Sequence, residues 1–98
     1  PQYRQLNSAV SDLEKRLLMV GEKSEMLPSK EFMLIKVLSD DIGKVYEKNF
    51  LLETVWGIDS SFESNVLEVT MGNLRRKILS LGADFEIKNM RNSGYWIE

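Results

Sequence analysis

Val69, Asn73 and Arg76 recur at spacings of four and three, which places them on one face of any helix that contains them. These side-chain types suit the major groove of DNA: valine packs on a thymine methyl, asparagine pairs with adenine through two hydrogen bonds, and arginine reaches guanine or a phosphate. Asn65 and Gly72 fall on the same side. A glycine inside a helix costs about 1 kcal/mol relative to alanine. Gly72 therefore predicts close approach to the backbone, with plain drift as the alternative. Farther on, Met90-Arg-Asn-Ser-Gly-Tyr95 puts Arg91 at the tip of an expected hairpin, placed for a minor-groove or flanking phosphate contact. The plainer reading of Arg75-Arg76-Lys77 is the basic last stretch of a helix, favoured by its dipole.

Other chemistry has little to work with. The 98 residues include no cysteine and no histidine, which excludes disulfides, thiolate zinc sites, histidine general bases and histidine-metal ligation. Neither a phosphate-binding glycine loop nor a nucleophile arrangement occurs, so no enzymatic activity and no cofactor are expected. Asp40-Asp41 beside Gly43 reads as a solvated turn rather than a metal site. No apolar run nears the roughly 20 residues of a membrane span, and the N-terminus lacks the layout of a signal peptide. A cytoplasmic protein without membrane contact is expected. Because Pro1 is not an initiator methionine, the chain reads as a piece of something longer.

The formal net charge of −2 argues against a nucleic-acid partner if it is taken globally, because duplex binding leans on lysine and arginine. Its distribution changes the balance. From Ser64 onward there are five basic and four acidic side chains; before it there are eight and eleven. The candidate reading surface is mildly positive, and non-specific affinity is expected to be weak.

With 43% apolar residues the chain can bury one modest core, so a single domain is expected over 1–98. An N-terminal sheet occupies about 3–27, with extended stretches at Ala9-Val10, Leu17–Val20 and Ser24–Leu27 and a turn at Gly21-Glu22-Lys23. A helical core covers about 29–81. Its first helix is capped by Ser29, carries Phe32, Leu34, Ile35, Val37 and Leu38, and runs to Gly43. Lys44-Val45-Tyr46 reads as an extended link, and a short second helix through Phe50, Leu51, Val55 and Trp56 stops at Gly57. The third helix spans Asn65 to Leu81 and is closed by Gly82. At about 100° per residue its buried edge is Leu67, Met71, Leu74 and Ile78, with Asn65, Val69, Gly72, Asn73 and Arg76 facing away. A wing hairpin follows over about 85–98, with strands at Phe85–Asn89 and Tyr95–Ile97. Trp56 and Tyr95 read as packing residues.

Five segments, in this order, resemble the winged-helix effector domain of OmpR/PhoB-type response regulators, and together they cover essentially the whole chain. Asp12-Leu-Glu-Lys-Arg-Leu17 is similar to that family's first hairpin, and Leu27-Pro-Ser-Lys-Glu-Phe32 to the lead-in to its first helix. Leu51-Leu-Glu-Thr-Val-Trp-Gly57 resembles the end of the second helix, Val69-Thr-Met-Gly-Asn-Leu-Arg-Arg-Lys-Ile78 the recognition helix, and Met90–Tyr95 the wing. The resemblance implies an α+β winged helix-turn-helix with a four-stranded N-terminal antiparallel sheet, three helices and a C-terminal β-hairpin, attached in the family behind a receiver domain. It also implies DNA-contacting positions at Asn65, Val66, Val69, Thr70, Gly72, Asn73, Arg75, Arg76, Arg91 and Asn92. Arg75 matches a phosphate-contacting arginine, and Arg91 and Gly94 match the wing.

Several positions depart from the family pattern. Asn65-Val66 stands where Arg-Thr is usual, and Thr70 and Asn73 replace a frequent histidine and an arginine. Asn92 replaces a glycine, which asparagine permits by adopting φ > 0. Pro28 replaces a common threonine. The expectation is sequence-specific duplex-DNA binding as the output domain of a two-component-type transcriptional regulator. Contact with RNA polymerase through the loop Gly57–Ser64 and homodimerisation of the full-length protein go with it. The alternative is a winged-helix module for protein interaction with little intrinsic DNA affinity.

Overall fold

In the computed structural model, which describes residues 3–57 and 65–98, short strands close first into a meander. β1 (Tyr3–Leu6), β2 (Ala9–Asp12), β3 (Leu17–Val20) and β4 (Lys23–Met26) lie in that order in one antiparallel sheet. Asn7, Arg16 and Gly21 all take positive φ at the turns between them. Val20 pairs with Lys23, so the last turn is the two-residue Gly21-Glu22 and Lys23 is already strand. The Asp12 carboxylate accepts hydrogen bonds from the Glu14 and Lys15 backbone N–H groups, both at 3.0 Å, and so folds the β2–β3 turn. β1 buries only Leu6, and its composition carries no apolar alternation to betray it.

α1 (Ser29–Ser39) corrects two expectations. Its N-cap position is Pro28, held extended at φ −56°, and Ser29 is the first helical residue rather than the cap. The Pro28 carbonyl accepts the Phe32 N–H at 2.9 Å, so the imino ring sets the entry without a side-chain cap. The helix also stops at Ser39, short of Gly43, because the Gly43 N–H donates to the Ile97 carbonyl at 3.0 Å and joins the wing instead. α2 (Lys48–Leu51) continues as a π-helical turn, Leu52–Trp56, that ends on Gly57 at φ 70°. Lys30 reaches across from α1 to donate to the Val55 carbonyl at 3.0 Å.

α3 (Val66–Leu81) ends in a Schellman closure, with Gly82 at φ 73° and N–H donations from Gly82 to Leu79 and from Ala83 to Ile78. Phe85 is core rather than strand, and the wing is β5 (Ile87–Met90) paired with β6 (Gly94–Ile97). Tyr46 adds a one-residue bridge to Tyr95, exchanging two backbone hydrogen bonds of 2.8 and 2.9 Å. Gly94 is required at that crossing: it adopts φ 146°, and a Cβ there would stand 2.1 Å from the Tyr46 carbonyl oxygen.

One core joins these parts. Leu18 from the sheet and Leu27 just after β4, Leu34, Ile35 and Leu38 from α1, Leu51, Leu67, Met71 and Leu74 from the next helices, and Phe85 and Ile97 at the wing are all essentially solvent-free. Polar ties fix the layers at their edges. Arg4 donates to the Lys36 carbonyl and pairs with Asp40, both at 2.8 Å, while the Ser8 N–H and the Asn7 amide bind Asp84 at 3.0 Å. Among the described residues no helix is long and apolar enough to cross a membrane.

Candidate nucleic-acid interface

The apolar phase of α3 decides which side chains are presented. Leu67, Met71, Leu74 and Ile78 are buried to a residual exposure of 6% or less, as their spacing predicts. Opposite them, Asn65, Val69 and Arg76 are exposed, and Gly72 and Asn73 are half-buried beside them. Val69 keeps 53% of its surface in solvent, a position where water gives a valine no stabilisation. Val66 and Thr70 are half-buried beside the stripe. The wing tip stands clear of the body, with Arg91, Asn92 and Ser93 exposed and Asn92 at φ 68°. Between the tip and the N-terminal ends of α2 and α3 lies an open cleft of about 430 Å³.

The basic run divides its work three ways. Arg75 turns to the wing: its Nε and Nη2 donate to the Ile87 carbonyl at 3.0 and 2.8 Å, and Nη2 also donates to the Asn89 side-chain oxygen at 3.0 Å. Its guanidinium lies 5.7 Å over the Tyr95 ring. Arg76 stays on the outer stripe and hydrogen bonds through Nη2 to the Asn73 side-chain oxygen. Lys77 turns to α1 and pairs with the buried Glu31 at 2.7 Å. Of the three neighbours, only Arg76 faces outward on the stripe.

Acidic groups modulate the rest of the face. Glu68, in the first turn of α3, is paired with Lys48 of α2 at 2.9 Å, which offsets a negative charge close to the stripe. Lys88 on β5 is bracketed by Glu86 and Glu98 at 3.4 Å each, and those hydrogen bonds, with Glu98's the stronger, raise its pKa. Burial pushes the Tyr95 hydroxyl up, with Glu68 adding to the rise and Arg75 opposing it. Sequence reasoning missed Lys48, Glu68 and Tyr46. The local signal for the first two is slight, since a lysine and a glutamate 20 positions apart announce no contact.

Residues 21–97 match the family model described as transcriptional regulatory protein, C terminal. The chain belongs to that family. It is a winged-helix effector domain of the OmpR/PhoB type. The transcriptional regulatory protein DltR of Streptococcus agalactiae is 37% identical over 95% of this chain, and the heme response regulator HssR of Staphylococcus epidermidis is 26% identical over 96%. The effector domain spans about two-fifths of the length of these relatives, 39% of the first and 42% of the second. Among solved structures, the C-terminal domain of the nisin resistance regulator NsrR superposes with a TM-score of 0.77 at 30% identity, covering 94% of this chain and 93% of that one. The RstA DNA-binding domain of Klebsiella pneumoniae, solved in complex with the RstA box, shares the fold at a TM-score of 0.84 and 24% identity, covering 98% of this chain and 96% of that one.

Proposed function

We propose that this effector domain binds duplex DNA sequence-specifically as the output module of a two-component-type transcriptional regulator, with α3 in the major groove and the wing tip beside it. The observation that carries this reading is the outward stripe of exposed Asn65, Val69 and Arg76 with half-buried Asn73 among them, an apolar contact among hydrogen-bonding groups set directly opposite a fully buried edge. Val66, Thr70 and Gly72 border the stripe, and Arg91 and Asn92 supply the contact from the wing. Asn73 has to release Arg76 to pair with adenine, because the adenine amino group needs the same amide oxygen. The fold is compatible with such a partner, since the RstA domain that shares it was solved on its DNA box. Homodimerisation of the full-length protein, and an RNA polymerase contact through the loop Gly57–Ser64, complete the proposal. Residues 58–64 of that loop lie outside the described part of the chain.

Titration against a promoter-derived and a scrambled duplex at several salt concentrations tests it. Arg91→Ala weakens both complexes and lowers the salt slope by about one unit. Asn73→Ala costs about 1–3 kcal/mol on the preferred site and relaxes its sequence preference. Equal losses on both duplexes for Asn73→Ala refute the base-reading role. Absence of any footprint at low salt, together with shifts of the same surface on adding an RNA polymerase subunit, selects the protein-interaction alternative.

A further inference from the structure

Arg75 matches a position expected to hold a phosphate, yet its fork is filled by protein acceptors that belong to the wing. The backbone register explains why those acceptors are there. Glu86 and Glu98 exchange both of their backbone hydrogen bonds, so the next mutually bonded pairs in β5 and β6 are Lys88 with Trp96 and Met90 with Gly94. The N–H and C=O groups of Ile87 and Asn89 therefore point out from the free edge of β5. Two of the Arg75 donors meet the Ile87 carbonyl there, a third contact goes to the Asn89 side chain, and the guanidinium plane covers Tyr95 on β6. The opposite edge of the hairpin is held by backbone bonds from Gly43 and Tyr46.

We infer that Arg75 is a positioning residue, tying the wing to the recognition helix and so setting where Arg91 stands relative to the stripe that carries Val69, Asn73 and Arg76. Arg75 immediately precedes Arg76 in sequence, so the anchor of the wing and the reading face are rigidly coupled through one turn of helix. A planar fork is needed for this: lysine has the charge but presents a single ammonium to a carbonyl that here receives two parallel donors. The functional arm of this inference rests on the duplex-binding reading above.

Three variants are compared with wild type: Arg75→Lys, Arg75→Ala and Asn89→Ala. Asn89→Ala removes one acceptor, leaves the Ile87 contact, and covers the case in which the Arg75 variants fold poorly. In the free domain, backbone relaxation of Met90–Gly94 shows the wing loosened in both Arg75 variants and partly loosened in Asn89→Ala, while the α3 amides stay as in wild type. On duplex, Arg75→Lys binds as weakly as Arg75→Ala, and neither changes the salt slope beyond what loss of the wing contact explains. Combining Arg75→Lys with Arg91→Ala weakens binding no further than Arg91→Ala alone, within about twofold, because both act through one contact.

A wing that is as rigid as wild type in every variant overturns the inference, whether or not any duplex is bound. It is equally overturned by an Arg75→Lys variant that binds like wild type while Arg75→Ala loses about one unit of salt slope, since that is the behaviour of a phosphate contact. Failure of wild type itself to bind any duplex, with the relaxation result intact, sinks the duplex reading and leaves the wing tie standing.

Discussion

Replacing Gly72 by alanine separates what the helix needs from what its partner needs. Gly72 lies in the interior of α3 on the presented side, and outside the helix backbone the nearest atom to an added methyl is Nη1 of Arg76 at 3.8 Å, an ordinary van der Waals distance. No strain opposes the gain in helix propensity, so the free domain is stabilised by about 0.5–1 kcal/mol. In a chain of this size that corresponds to a rise in Tm of about 2–8 °C. Against a duplex the sign reverses. A methyl inserted into a close-packed contact costs about 1–3 kcal/mol, which weakens binding by about five- to 150-fold. Urea denaturation followed by circular dichroism measures the first effect, and fluorescence anisotropy with labelled duplex the second. A variant that is both more stable and a weaker binder has the expected signature. If Gly72→Ala is destabilised, the space and backbone conformation assigned to it are wrong. If it is stabilised and binds with undiminished affinity, nothing approaches that stretch of backbone, and the case for a groove against this face loses its most specific element.

Two further outcomes follow from the scaffold. Gly94→Ala drives a methyl into the Tyr46 carbonyl, a backbone clash that no rotamer relieves, so it destabilises the domain by at least about 3 kcal/mol or prevents folding; denaturant melts decide it, and a near-neutral result contradicts the crossing geometry. The Asp84 carboxyl is held below its usual pKa chiefly by the hydrogen bonds it accepts from Ser8. With the folded pKa depressed, its contribution is complete above the ordinary carboxylate range and is lost as the pH falls through that range to the lowered value. The stability difference between wild type and Asp84→Asn is therefore present at neutral pH and fades on acidification. A difference that grows instead reverses the assigned sign.

Periodicity made some of this domain readable and left other parts silent. The four apolar positions of α3 fixed its phase, and with it the exposed stripe, because a 16-residue helix packed on a core tolerates no rotation of its buried edge. β1 was visible only through family resemblance, since Tyr3-Arg-Gln-Leu6 buries one residue and alternates nothing. The end of α1 was misread because Gly43 looks like a stop signal, whereas it is drawn to the carbonyl of Ile97, more than fifty positions away. Phe85 misled in the same manner: an apolar residue before a strand reads as strand, but it is buried as a core plug before β5 begins. Least legible was the division of labour in Arg75-Arg76-Lys77. Three adjacent cations point about 100° apart on a helix, and their partners, Ile87, Asn73 and Glu31, come from three different elements.

That division has a consequence for binding. Non-specific affinity grows with the number of phosphates a surface neutralises, whereas discrimination grows with contacts to base edges. After Ser64, Arg75 is directed to the wing, Lys77 to Glu31, and Lys88 to Glu86 and Glu98; Arg76 and Arg91 remain on the stripe and at the tip. A duplex partner therefore meets few cations beside Val69 and Asn73, and the Lys48–Glu68 pair adds no net charge. On the proposed reading, such a surface is expected to hold generic DNA poorly at physiological salt. On that same reading, its selectivity rests on the fit of the stripe to one sequence and on a wing held at a set distance from it. Adding cations at the rim would tighten every complex at once and narrow the ratio between specific and generic sites, the quantity on which a regulator searching a genome depends.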